Sequence, residues 1–188
     1  MSRTLACMAN PELTLPPPLD ALYALQFVER EEDEDEDDDE EERLDFEVYE
    51  KFQSPAEMES WIRAWTGNQE LSGAEYRMFG QDGTGGLVGF WIVREGAELL
   101  DQPVVFFGSE GETGVLAADF ADFLWLLAAG LGPYEANAYR KGELTDNPRF
   151  LAFAVEHAKG PRREAAAVLR RARGEFPRFS ATIQALCR

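Results

Sequence analysis

The sequence predicts an α+β fold: a mostly antiparallel sheet with helices packed against it, plus a C-terminal helical extension. Three observations carry this. Between residues 79 and 118, short apolar, β-branched and aromatic runs alternate with glycine-rich turns, the pattern of strands joined as hairpins. From Asp119 the apolar spacing changes to that of a helix. Beyond residue 140, Asn147-Pro148, Pro161 and Pro177 each introduce a helical pattern.

Taken along the chain, residues 1–18 read as irregular, with Pro16, Pro17 and Pro18 favouring an extended backbone. Leu19–Val28 reads as a short helix using Leu22, Leu25 and Phe27. Residues 29–43 read as a loop or linker, because adjacent carboxylates repel and nothing apolar offsets the entropy of ordering them. Phe46 and Val48 alternate with Asp45 and Glu47, which predicts a strand reaching toward Phe52. Ser54-Pro55-Ala56-Glu57 is a capping box with proline at the first helical position, so a helix starts there. It places Met58, Trp61, Ile62 and Trp65 on one face and stops at Gly67-Asn68.

Tyr76–Phe79 is a strand leading to a turn at Gly83, Gly85 and Gly86, with Asp82 placed to brace it. Leu87–Val93 is the next strand. Pro103 stands at the start of another, Val104–Phe107, and Gly108, Gly111 and Gly114 punctuate a hairpin into Val115–Ala118. Asp119 caps the following helix, whose residues Phe120, Phe123, Leu124, Leu127 and Leu131 form one buried stripe. Gly130, Gly132 and Pro133 end it. In the tail, Phe150, Phe153 and Ala154, then Ala165, Val168, Leu169 and Ala172, then Phe179, Ile183 and Leu186 mark the apolar faces of three helices.

Charge is distributed unevenly. The net charge is −18, and Glu31–Glu42 is an unbroken run of 12 acidic residues. The rest of the chain holds 24 acidic and 18 basic side chains, a balance of −6. Residues 1–139 carry −24 and residues 140–188 carry +6, so the chain is polarised end to end. Such a run reads as a solvated spacer, as a contact for the arginine-rich tail, or as a surface for a basic partner. It lacks the glycine and bidentate glutamate spacing of a calcium loop. Cys7 and Cys187 make neither a disulfide framework nor a metal set, and no signal sequence or membrane span is evident. A reducing, cytoplasmic setting is expected.

Catalytic vocabulary is sparse. Gly80–Gly86 is glycine-rich, but it has no Lys-Ser/Thr and leads into a strand, so a hairpin turn is favoured over a phosphate cradle. His157 is the only histidine and has no ligand partner at metal spacing; it reads as a surface residue near a helix C-terminus. The pair Asp119/Asp122 belongs to a helix start. Glu110 and Glu112 flank a turn at the sheet end, where they, with Asp82, are the candidate partner-binding residues. No cofactor, metal or catalytic residue is expected. The negative balance also disfavours direct nucleic-acid binding through the tail.

The succession of a glycine-rich turn, a strand carrying Trp91, Pro103-Val104-Val105, Gly108-Ser109-Glu110-Gly111 and Asp119–Leu127 resembles the SUKH superfamily. That superfamily includes a fungal regulator of cell-wall glucan synthesis and many bacterial immunity proteins. The resemblance covers about 55 residues. It implies a single α+β domain, taken as a SUKH-like core over residues 46–139; residues 1–45 read as an N-terminal segment bearing the acidic run, and residues 140–188 as a helical extension packed on the core, since Phe150, Phe153, Phe179 and Ile183 need cover. It implies a non-enzymatic, cytoplasmic protein-binding module, monomeric or homodimeric. Its expected partner is a toxin domain, and the acidity of this chain suits one that targets nucleic acid. The alternative it implies is a regulatory or scaffolding module that binds a cellular protein and has no toxin partner.

Overall fold

The sheet divides the protein into two apolar layers, and the alternation of side chains along its strands is the cause. The computed structural model describes residues 13–32 and 44–188. Most of the acidic run, residues 33–42, lies outside the described residues, as do the first twelve residues with Cys7. Among the described residues are seven helices and five strands. The strands are β1 (Glu47–Val48), β2 (Tyr76–Gln81), β3 (Leu87–Trp91), β4 (Val104–Phe107) and β5 (Thr113–Ala117). They form one antiparallel sheet in the order β1-β2-β3-β4-β5. The fold is therefore α+β.

Phe79, Val88, Phe90, Val104, Phe106 and Leu116 point into one core, where they meet helices α1 (Pro17–Glu32), α3 (Phe120–Ala128) and α5 (Pro148–His157). Tyr76, Met78, Leu87, Val105, Phe107 and Val115 point into the other, against α2 (Pro55–Thr66) and α7 (Phe179–Leu186). A strand's side chains alternate sides, so neighbouring apolar residues serve opposite layers. That is why the strands read as continuous apolar runs rather than as alternating ones. Helix α6 (Ala165–Glu175) packs along β5 and feeds both layers, with Val168 and Leu169 in the first and Ala172 in the second. The short helix α4 (Pro133–Ala138) places Ala136 in the first core.

Local signals set the helix ends. At α2, the Glu57 amide donates to Ser54 Oγ at 3.3 Å and the Ser54 amide to Glu57 Oε2 at 2.7 Å; Gly67 closes the helix at φ 71°. Asp119 Oδ1 accepts from the Asp122 amide at 2.8 Å at the start of α3. Asn147 caps α5 through the amides of Arg149 and Phe150, both at 3.1 Å.

Several boundaries differ from expectation. Pro17 and Pro18 form the first turn of α1 instead of an extended segment, because the first turn of a helix needs no amide donors. The same helix continues through residues 29–32, read above as loop. Once Leu19 and Leu22 anchor it, each added residue gains a hydrogen bond without a new nucleation cost. β3 stops at Trp91, and Ile92 and Val93 are exposed; buried Gln102 takes over the edge by accepting from the Val93 and Arg94 amides. Gly130 does end α3, but Pro133 opens α4. α6 begins at Ala165, not at Pro161. Helix α3 buries Trp125, Leu126 and Ala128 besides its predicted stripe, because α5 and α6 cover its outer side.

Both edges of the sheet are closed. On the outer side of β1, Gln26 Nε2 donates to the Phe46 carbonyl at 2.9 Å, and the Val48 amide donates to Gln26 Oε1 at 2.8 Å. One carboxamide thus stands in for a neighbouring strand. α6 covers β5. Unpaired edges template association with other chains, and here neither is open. Among the described residues, no helix is long and apolar enough to cross a membrane.

Candidate partner-binding face

The antiparallel meander brings the β2–β3 turn, the β4–β5 turn and the entry to β1 to the same end of the sheet. The β2–β3 turn is built on Asp82. Its Oδ1 accepts from the Thr84 amide at 3.0 Å, the Thr84 hydroxyl at 2.8 Å and the Gly86 amide at 2.8 Å. The backbone closes around it through Asp82 N to Gly86 O at 2.9 Å and Gly85 N to Asp82 O at 3.0 Å. Gly85 adopts φ 86°, a left-handed conformation that suits glycine. Gly86 is needed for closeness: a Cβ there would lie 2.7 Å from the Phe106 ring and 2.9 Å from Asp82 Oδ2.

Two further bonds brace this end. Asp45 Oδ1 accepts from the Gly83 amide at 2.5 Å, tying the entry of β1 to the turn. Ser109 Oγ donates to Thr84 Oγ1 at 3.1 Å, tying the two turns together. A cleft of about 710 Å³ opens here, lined by Gln26, Asp45, Phe46, Glu47, Gln81, Asp82 and the turn residues 83–85.

The carboxylates at this end comprise Asp45, Glu47, Asp82, Glu110, Glu112 and Glu135. Desolvation raises the pKa of Glu135, its own backbone hydrogen bond partly opposes that, and Asp45 and Asp82 raise it further. Glu135 as a residue is exposed, but one of its carboxylate oxygens lies over Gly132 beside the Asp45 backbone. Water therefore reaches that oxygen incompletely.

The sequence-predicted residues fall on this face in different ways. Glu110 is exposed at the tip of its turn and Glu112 is half-buried. Asp82 is only 2% exposed, and its Oδ2 is buried with no hydrogen-bond partner among the described residues. It shapes the face from beneath by holding the loop above it. Asp45, Glu47 and Glu135 were not singled out from the sequence. Alternation around Phe46 marks Asp45 and Glu47 as outward-facing, whereas nothing local marks Glu135.

Other candidates separate from this face. His157 lies at the end of α5, its ring 4.2 Å from Phe153, and lines a small cavity of about 100 Å³ with Leu100 and Asp119. It does not converge with Asp82 or Glu110. Among the described residues, no group of three His, Cys, Asp or Glu side chains is placed to hold a metal. Four arginines of the tail, Arg162, Arg163, Arg171 and Arg173, bond internally. Arg163 and Arg171 both pair with the fully buried Asp122, and Arg171 reaches Asp119 at 2.8 Å. Burial opposes the Arg171 charge, but hydrogen bonds to Asp119 and Asp122 outweigh it and raise its pKa. Arg162 grips Asp146 through two bonds of 2.7 and 2.8 Å, and Arg173 donates to the carbonyls of Ala136 and Asn137 at 3.0 Å.

The tryptophans also divide. Trp125 is buried, and Trp91 packs between Phe176 and Phe179. Trp61 and Trp65 are half-buried and stacked, and Trp65 lines a second groove, of about 590 Å³, between the β4–β5 turn and α7. Comparison with family models, with curated proteins and with solved structures finds no match for this chain.

Proposed function

We propose that this chain is a non-enzymatic protein-binding module: a cytoplasmic immunity protein that neutralises a toxin domain by direct contact, the toxin being one that acts on nucleic acid. The observation that carries this reading is the set of six carboxylates gathered at one end of the sheet on turns braced by Asp82, Asp45 and Ser109. A surface that is both rigid and negative suits the positive groove with which such a toxin would hold phosphates. The resemblance of residues 79–131 to the SUKH superfamily points the same way.

Rigidity bears on affinity. A face already held in its bound shape loses little conformational entropy on docking. Electrostatic steering then speeds encounter, while apolar contacts set the residence time.

The test is co-purification of the full chain with a toxin domain encoded beside it, followed by rescue of growth in cells expressing that toxin. The expected result is a stable complex whose association rate falls at least tenfold between about 50 and 500 mM salt, as screening of a charged interface requires. Failure to bind and to rescue would sink the proposal.

A further inference from the structure

We propose that the groove beside Trp65 is the seat of an arginine side chain carried by a basic protein partner. This rests on the binding reading above and adds to it the place and chemistry of one anchoring contact.

The groove lies between the β4–β5 turn and α7, and Trp65, Ser109, Thr113, Ile183, Gln184 and Cys187 line it. Its walls are held. The Trp65 indole N–H donates to the Gly108 carbonyl at 3.0 Å. The ring stacks on Trp61 with centroids 5.9 Å apart and meets Phe107 edge-on at 5.4 Å. Ser180 Oγ donates to the Thr113 carbonyl at 2.8 Å, which pins α7 to β5. The Trp65 donor is therefore engaged and its ring orientation set before a partner arrives. Trp65 is half-buried and lines the groove, so with its N–H engaged what it leaves to the groove is aromatic carbon.

A π surface attracts cations, and tryptophan attracts them best. A planar guanidinium also stacks on the ring, whereas an ammonium acts as a point charge and is more strongly hydrated. Ser109, Thr113 and Gln184 add oxygen acceptors for the remaining N–H groups. The exposed Glu110 sits between Ser109 and Gly111, both of which line the groove, so an anion stands at its mouth. The β4–β5 turn that forms one wall is tied through Ser109 to Thr84 on the acidic face. A basic partner drawn to that face arrives beside this groove. The complementarity is thus of charge at the mouth and of a flat aromatic surface within.

Cys187 is exposed and lines the same groove, which makes it a reporter of occupancy. The full chain is alkylated with iodoacetamide in the presence of a hexa-arginine peptide or a hexa-lysine peptide of equal charge. Peptide mass mapping follows Cys187 separately from Cys7. Hexa-arginine is expected to slow alkylation of Cys187 about fivefold or more, and hexa-lysine less than about twofold. Glu110→Gln weakens the protection. Gln184→Lys, at an exposed position of α7, abolishes it. Trp65→Leu removes the preference for arginine; should that variant fail to fold, Gln184→Lys still decides the matter. Equal protection by both peptides overturns the groove assignment. So does saturable, salt-sensitive binding that leaves Cys187 unprotected, and in that case the wider binding reading stands. If neither the peptides nor a toxin domain bind, both fall together.

Discussion

Removing the Asp82 carboxylate should loosen the acidic face without touching any exposed charge. In Asp82→Ala, three donors lose one acceptor: the Thr84 amide, the Thr84 hydroxyl and the Gly86 amide. The Thr84 donors are partly exposed and turn to water, so each costs well under about 1 kcal/mol. The Gly86 amide is buried, and leaving it unsatisfied beside the loss of a charge-assisted bond costs about 1.5–3 kcal/mol. The turn also loses the closure that holds Gly83 against Asp45. Against this, the orphaned Oδ2 disappears, which returns about 1 kcal/mol. The net expectation is a loss of about 2 kcal/mol, or about 4–8 °C in Tm for a chain of this size. Asp82→Asn keeps the Oδ1 acceptor and should lose less than about 1 kcal/mol. Urea unfolding measures the stability, and amide exchange at Thr84 and Gly86 locates the change. Partner association should fall in the alanine variant and persist in the asparagine variant. If Asp82→Ala unfolds at the wild-type midpoint with unchanged exchange at both amides, the bracing role assigned to Asp82 is wrong.

Other perturbations separate the remaining claims. Gln26→Leu removes both side-chain bonds to the outer edge of β1, so it should cost about 1–3 kcal/mol in urea unfolding and raise light scattering as the strand edge opens. Asp122→Ala strips Arg163 and Arg171 of their buried partner and should destabilise by about 2–4 kcal/mol, read as a lower thermal midpoint. Glu135 has a raised pKa in the folded chain, so its contribution to stability is fully present below the unfolded glutamate pKa and is lost as pH rises through the folded value. Desolvation is the main cause and repulsion from Asp45 and Asp82 adds to it, so Glu135→Gln should raise stability slightly at neutral pH and not at all near pH 3, with high salt removing only the repulsive share of the gain; a gain that persists at pH 3 would refute the penalty assigned to the charged carboxylate.

Much of the architecture was legible because its causes are short-range. The Ser54–Glu57 capping box, Asp119 and Asn147 at helix starts, Gly67 and Gly130 at helix ends and the glycine turns between strands all act within a few residues of themselves. A reader of sequence needs no partner element to find them. Where a neighbour decides, the reading failed. Pro17-Pro18 and residues 29–32 joined a helix because that helix has a core to lie on. The candidate face was legible only in part: Asp82, Glu110 and Glu112 belong to turns that announce themselves, whereas Glu135 reaches the same place from a helix that passes beneath them.

The amino-acid order by itself determined the four main strands, the helices begun by Ser54, Asp119 and Asn147 with their caps, and the negative balance of the chain. Only the tertiary structure decided that the strand side chains serve two separate cores, that Gln26 closes β1, that the tail arginines bond to Asp119, Asp122 and Asp146, and that the carboxylates of four distant segments share one end of the sheet. The physical reason is range. Capping and periodicity act over one or two turns of chain, while sheet register and helix docking bring together residues far apart in sequence, which no local pattern encodes.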